Sequence, residues 1–320
     1  MKSFQYVAPH SIESALSYAS EQGRYLGGGI DLLGELKEYI AEAKTLVNIK
    51  ELPGTAAVTS SADSWTIGMN VTITEIAQHP ELRKALPGLC EAAAEVGSPQ
   101  IRNVATIAGN LAQHSRCWYY RHRDINCLKK TGDMCHAQNG ENRYHSLFTG
   151  NPCISPVVSN LAIALAALDA QVIVRRGNED MPMSIAQFYS RAWDNPKAHN
   201  SLEPADLILR VQIPHRERKS AYLQVSDRAS FDWALVSCAA AAKVDGGKLS
   251  QVRIVLGQVS PVPYQVRAAN EFLEGKTLTD EAASQAADLV LKEAKPVAQN
   301  GYKVPLAHAL IRRALARLKA

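Results

Sequence analysis

The sequence predicts an α+β fold in two domains, on three observations. The chain has 320 residues, enough for two domains at roughly 100–200 residues each. Its first two thirds alternate short strand-like runs, glycine-bearing turns and helical patterns. Beyond residue 216, strand-like runs come first and helical patterns follow, which is the order of an α+β unit. Hydrophobic residues make up 46% and charged residues 21%, so the chain can bury a core and is not a disordered polymer. The net charge is +4 with no block of like charges, which gives no case for nucleic acid. No apolar run approaches the ~20 residues of a membrane helix, and Met1-Lys2-Ser3-Phe4-Gln5-Tyr6 shows no apolar signal region.

Taken in order, Ser11 reads as the N-cap of a helix over 11–20, where Ile12, Ala15, Leu16 and Ala19 keep helical spacing. Residues 24–26 read as a strand, Gly27-Gly28-Gly29 as a turn and 30–37 as a helix. Strands are expected at 45–49 and 65–69, helices at 72–78 and 89–96. In 100–112 the small residues, with Thr106 and Asn110, suggest a second turn where backbone approaches a neighbour closely. Residues 113–153 are polar, aromatic and cysteine-bearing, without a period. So long an irregular stretch is functional or disordered, and Trp118-Tyr119-Tyr120 beside four cysteines argues against disorder. A helix at 161–168 and a strand at 172–174 follow, then a loop-rich stretch over 190–205. The polar run 214–219 is taken as the boundary, giving domains 1–215 and 216–320. The second holds strands at 234–244 and 252–256 and helices at 266–274, 279–293 and 303–318.

Two features carry chemistry. A glycine turn between a strand and a helix exposes backbone N–H groups, the material of a phosphate cradle. Gly27-Gly28-Gly29-Ile30-Asp31 matches neither common nucleotide motif, however, and a tight turn alone would also use glycine. The second feature is the spacing C-x9-C-x7-C-x17-C at Cys117, Cys127, Cys135 and Cys153. It matches neither the C-x2-4-C knuckles of zinc sites nor the ferredoxin run. Spacing alone leaves a [4Fe-4S] cluster, zinc, and disulfides or free thiols all open. Cys90 and Cys238 lie in apolar runs and read as small hydrophobes. His114, His122, His136 and His145 share the cysteine segment; none is taken as a ligand, and a role as donor to a sulfur or as a solvated residue is open to each. No nucleophile elbow, carboxylate pair or H-E-x-x-H motif is present, so the chain reads as a cofactor holder without catalytic residues of its own.

At Gly27-Gly28-Gly29-Ile30-Asp31-Leu32-Leu33 and again at Gln100-Ile101-Arg102-Asn103-Val104-Ala105-Thr106-Ile107-Ala108-Gly109-Asn110-Leu111 the sequence resembles a known family. This is the FAD-binding medium subunit of the xanthine dehydrogenase/aldehyde oxidoreductase family of molybdenum hydroxylases. The family's loops usually read A-G-G-T-D-L-L and Q-I-R-N-x-x-T-I-G-G-N-L. The likeness continues through Ser159-Asn160, Asp227-Arg228-Ala229-Ser230-Phe231-Asp232-Trp233 and Val252-Arg253-Ile254-Val255-Leu256-Gly257, essentially the whole chain. It implies a two-subdomain FAD-binding domain of the PCMH type followed by a smaller α+β domain. The FAD pyrophosphate is expected on Leu26, Gly27, Gly28, Gly29, Ile30, Asp31, Leu32 and Leu33. Thr106, Gly109 and Asn110 are expected to contact the rest of the cofactor, and Ser159 and Asn160 its ribityl chain. Ile30, Ala108 and Asn160 depart from the family's Thr, Gly and Asp.

A subset of the family, similar to bacterial aldehyde oxidoreductases and 4-hydroxybenzoyl-CoA reductase, carries an extra [4Fe-4S] cluster in an insertion at this place. That implies Cys117, Cys127, Cys135 and Cys153 as its ligands, with Arg116, Arg121, Arg123, Lys129 and Lys130 either offsetting its charge or forming a solvated face. The resemblance further implies a small [2Fe-2S] subunit and a large molybdopterin subunit as partners in a heterotrimer, open to further dimerisation, with the substrate site on the large subunit. Location is expected to be cytoplasmic, or periplasmic if a signal-bearing partner carries the folded chain out. Two rival readings remain: a reductase running electrons toward molybdenum, and a flavin-free zinc scaffold.

Overall fold

The computed structural model describes residues 1–18 and 22–319. Three sheets organise them. The first is parallel, with strands β1 (Gln5–Val7), β2 (Gly23–Leu26) and β3 (Thr45–Asn48) in the order β1-β3-β2. Helix α1 (Ile12–Ser17) follows β1 and is capped by the Ser11 side chain, which accepts from the Ser14 N–H. Ala19, the last apolar position of the helix expected over 11–20, lies outside the described residues. Helix α2 (Leu32–Lys37) follows β2 and places Leu36 against Ala43 and Leu46.

The second sheet is antiparallel with five strands. Strands β4 (Val58–Ser60) and β5 (Ser64–Gly68) lead into α3 (Ile73–Gln78), α4 (Pro80–Ala85), α5 (Pro87–Ala94), α6 (Pro99–Val104) and α7 (Ile107–Ala112). The chain then runs through a long irregular segment whose one helical turn is α8 (Trp118–Arg121), and re-enters the core as α9 (Asn160–Ala167). Strands β6 (Gln171–Arg176) and β7 (Glu179–Ser184), helix α10 (Ile185–Asp194) and strand β8 (Leu207–Pro214) close the unit in the order β4-β5-β8-β6-β7.

The third sheet, β9 (Lys219–Ser226), β10 (Ala234–Asp245) and β11 (Lys248–Gly257), is antiparallel and backed by α11 (Arg267–Leu273), α12 (Asp280–Leu291) and α13 (Lys303–Arg317). Helix α9 is the hub of the molecule. All eight of its residues are buried, and its alanines let it pack against α5 and α7 on one side and against β10 and β11 on the other. A helix apolar all round belongs in such a place and nowhere on a surface.

Two expectations are corrected here. Residues 100–112 form not one turn but two short helices, broken at Ala105 because Thr106 turns extended to cap α7. The stretch 190–205 begins inside a helix, α10. Its capping box, Ser184 with Gln187, and its apolar face of Ile185, Phe188, Tyr189 and Ala192 favour helix over loop. Strands β1, β4, β7, β8 and β9 and helices α4, α6, α7, α8 and α10 had no expected counterpart. Cys90 and Cys238 are buried in α5 and β10 as apolar fillers, and burial pushes the Cys90 thiol up to about 11.

Candidate functional site: a backbone cradle and a cysteine cavity

Strand β2 delivers the chain into Gly27-Gly28-Gly29, and this turn rests on the second glycine segment. A Cβ on Gly28 would collide with the Val104 carbonyl oxygen and the Ala105 backbone, and Gly29 has φ +76°, a conformation glycine tolerates best. A Cβ on Gly27 would lie 3.1 Å from Thr106 Oγ1. That hydroxyl caps α7, accepting from the Gly109 N–H at 3.2 Å. On the same helix, Asn110 Oδ1 accepts from the Ser159 hydroxyl at 2.7 Å, and Ser159 in turn caps α9. The structure thus gathers Gly27, Gly28, Thr106, Gly109, Asn110 and Ser159 around one place. Asn160 turns the other way, its amide donating to Gln224 Oε1 of β9 at 3.1 Å.

Among the described residues, the N–H groups of Gly27, Gly28, Gly29, Ile30, Asp31 and Leu32 donate to nothing within the chain. Six successive unspent donors on a glycine turn suit an anionic ligand. Leu32 and Leu33 spend their side chains on the small core with Leu36 and Leu46, while Ile30 is 45% exposed.

Asp31 ties this turn to the irregular segment. Its carboxylate pairs with Arg116 at 2.6 Å and Arg121 at 2.7 Å and accepts from the His114 N–H at 2.8 Å. Buried Glu35, one helical turn on, binds His114 Nδ1 at 3.0 Å and accepts from the Tyr120 hydroxyl at 2.9 Å. Burial alone would raise both carboxyls. The arginines beside Asp31, and His114 and Arg121 beside Glu35, hold them below the usual range. Asp31, Glu35 and His114 lie close enough to hold a cation, yet the guanidiniums already neutralise the two carboxylates, so a metal does not fit. This network corrects the expectation for Arg116 and Arg121, whose charges go to the glycine turn. Arg123 stacks over Tyr39 and Lys130 donates to the His122 carbonyl; neither lines the sulfur cavity.

The four cysteines Cys117, Cys127, Cys135 and Cys153 line one cavity, and none forms a disulfide. No three of their sulfurs lie within 4.8 Å of one another. Sulfurs around one zinc, with bonds of about 2.3 Å, would stand about 3.8 Å apart. Lys129 also lines the cavity, its ammonium held by the carbonyls of Pro196 (3.2 Å) and Ala198 (2.8 Å). Burial pushes its pKa down, and the four sulfurs oppose that shift. Burial pushes the Cys117 thiol up to about 11, while a hydrogen bond between Cys135 and Cys153 favours the thiolate at Cys135 and the thiol at Cys153. Buried His145 sets its Nε2 3.2 Å from Cys117 Sγ; burial and the nearby Lys303 hold the ring neutral, near pKa 4.

The irregular segment is anchored on the C-terminal domain. Leu147 and Phe148 enter its core, both N–H groups donate to the Val259 carbonyl, and Phe148 stacks on Tyr264. Asn300 donates to the carbonyls of His145 and Ser146, and fully buried Lys303 bridges the Tyr144 and Gln258 carbonyls.

Residues 2–216 match the model of the FAD binding domain in molybdopterin dehydrogenase, and residues 221–318 that of the CO dehydrogenase flavoprotein C-terminal domain. The chain belongs to the FAD-binding medium subunits of the xanthine dehydrogenase/CO dehydrogenase family. Among relatives of this flavoprotein subunit, the aldehyde oxidoreductase FAD-binding subunit PaoB of Escherichia coli is 32% identical, over 100% of this chain and 99% of its own. The carbon monoxide dehydrogenase medium chain of Hydrogenophaga pseudoflava is 23% identical over 98% of this chain and 96% of its own. In solved structures, the fold is shared with carbon monoxide dehydrogenase from the same organism (TM-score 0.78, 23% identity, 99% and 98% of the two chains). It is shared also with quinoline 2-oxidoreductase from Pseudomonas putida (TM-score 0.77, 22% identity, 99% and 97%).

The flavoprotein subunit's cradle fits FAD on its own geometry, since the unspent donors of 27–32 are what a pyrophosphate requires. The residues missed by reading the sequence are those that lock the cradle: Glu35, His114, Arg116, Tyr120 and Arg121. No local pattern pairs positions some 80–90 residues apart. Among the described residues, no helix is long and apolar enough to cross a membrane.

Proposed function

We propose that this chain is the electron-transfer subunit, carrying FAD and a [4Fe-4S] cluster, of a heterotrimeric molybdenum oxidoreductase of the aldehyde oxidoreductase type. Its partners in this reading are a small [2Fe-2S] subunit and a large molybdopterin subunit that bears the substrate site, and it passes electrons between their centres and an external acceptor. The observation that carries the reading is the meeting of two sites through residues 114–121: His114, Arg116 and Arg121 hold Asp31 of the glycine turn, and Cys117 between them lines the sulfur cavity.

The donor set favours the cluster. Four thiols lining one cavity, none in a disulfide, match the one thiolate per iron that a [4Fe-4S] cube requires. When bound, the flavin exchanges electrons singly or in pairs and the cluster exchanges them singly. The chain's own part is to bind and orient. The N–H groups of residues 27–32 take the pyrophosphate, with Thr106, Gly109, Asn110 and Ser159 close to the rest of the flavin. The Asp31 carboxylate, already engaged by two arginines, fixes the turn rather than touching the ligand. Cys117, Cys127, Cys135 and Cys153 hold the cluster as thiolates, the metal taking the place of the thiol protons, and Lys129 offsets part of the resulting negative charge. The 32% identity to an aldehyde oxidoreductase subunit along the whole chain supports the enzyme type.

The test is isolation of the tagged chain, anaerobically, with the proteins that accompany it. Molybdenum in the complex, and flavin reduction by an aldehyde in the complex but not in the isolated chain, are expected. Flavin reduction by aldehyde in the isolated chain, or a complex without molybdenum, would overturn the proposal.

A further inference from the structure

Resting on the reading of residues 113–153 as a [4Fe-4S] site, we propose that His145 is a positioning residue for that cluster: its Nε2–H donates to the Cys117 sulfur and raises the potential at which the cluster takes up an electron. The geometry is specific. His145 is 2% exposed, and its Nε2 lies 3.2 Å from Cys117 Sγ. Among the described residues its Nδ1 has no hydrogen-bond partner, and the sulfur is the ring's one hydrogen-bonding contact. A metal-bound thiolate can only accept, which places the ring proton on Nε2.

The ring is held in that orientation. The His145 N–H donates to the Asn142 carbonyl at 3.0 Å, and its own carbonyl accepts from Asn300 at 3.1 Å. The Trp118 ring meets the imidazole edge-on, with centroids 5.7 Å apart, and the Tyr119 ring lies 6.4 Å away. The partner sulfur belongs to the cysteine next to Arg116, the residue that grips Asp31 of the flavin turn. A hydrogen bond to a ligand sulfur draws electron density from it and stabilises the extra negative charge of the reduced cluster. His145 therefore acts on the side of the cluster that adjoins the flavin turn.

The experiment is a redox titration of the anaerobically purified full chain, followed by low-temperature electron paramagnetic resonance, for wild type, His145→Leu and His145→Gln. At the wild-type midpoint, His145→Leu is expected to shift the reduced-to-oxidised ratio at least tenfold toward oxidised, a fall of about 59 mV for one electron. His145→Gln, which keeps a donor, is expected to recover much of that shift. Should His145→Leu lose its iron, wild type labelled with 15N-histidine carries the test: nitrogen coupling to the reduced cluster is expected. Normal iron content with unchanged midpoints, or no histidine nitrogen coupling, would overturn the role of His145 and leave the cluster standing. Wild-type chain without a cluster signal would overturn the cluster reading and the proposal with it.

Discussion

In the proposed function the glycine turn at 26–33 and the cysteine segment at 113–153 solve the same problem, holding a cofactor, with opposite materials. The turn offers backbone. Its donors are peptide N–H groups, and its side chains pack, as Leu32 and Leu33 do, face solvent, as Ile30 does, or are tied to arginines, as Asp31 is. The segment offers side chains, four thiols and an ammonium, on a chain with almost no regular structure of its own. A backbone site should tolerate changes of side chain and fail when a Cβ intrudes. A side-chain site should fail when a single donor is replaced. Of the departures from the family pattern, Ile30 falls in the first kind of site, where a change of side chain does least harm.

The sharpest way to break this contrast is Cys127→Ser. One lost thiolate should drop iron from about four atoms per chain to less than one while flavin stays near its wild-type content, as read by metal and flavin assays. Retained iron would show that the cavity does not depend on four sulfurs. Gly28→Ala comes next. Its methyl would strike backbone at Val104 and Ala105, which cannot move aside, so flavin content should fall several-fold and stability by about 1–3 kcal/mol in urea unfolding.

Lys303→Met tests the anchor of the cysteine segment on the C-terminal domain. It leaves the Tyr144 and Gln258 carbonyls without a donor and should cost about 1–3 kcal/mol. Burial holds Lys303 near pKa 7 against an unfolded value of 10.5. Between those values the unfolded chain binds a proton that the folded chain lacks, so wild-type stability rises with pH from about 7 to 10.5. In Lys303→Met that rise should flatten, as measured by urea unfolding at pH 7 and pH 9. The smallest effect is expected of Ile30→Thr, which restores the family's usual residue at an exposed position: stability within about 0.5 kcal/mol of wild type and flavin affinity unchanged or slightly higher.

The same contrast explains what could be read from the sequence. The glycine turn was legible because strand, glycines and helix are contiguous, and it led to the family and through it to FAD. Helices with long apolar faces, such as α12 and α13, were legible for the same local reason. Helix α10 was missed although Ser184 and Gln187 form a capping box, because Pro196 and the polar residues after it gave the whole stretch the composition of a loop. The edge strands β1 and β4, three residues each, are too short to show a period. In the cysteine segment the residue types were legible but their assignment was not. Arg116, Arg121 and Lys129 look alike in sequence, yet two of them hold Asp31 and one lines the sulfur cavity. Such choices are made by long-range contacts that no local pattern encodes.

In the proposed function one chain holds a flavin on backbone and an iron–sulfur cluster on four cysteines. The most direct test is an anaerobic ultraviolet–visible spectrum of the purified chain, before and after dithionite, with flavin and metals assayed on the same sample. The account predicts flavin bands over a broad iron–sulfur absorbance that bleaches on reduction, with one flavin and about four irons per chain. Zinc in the cysteine site without flavin would contradict it.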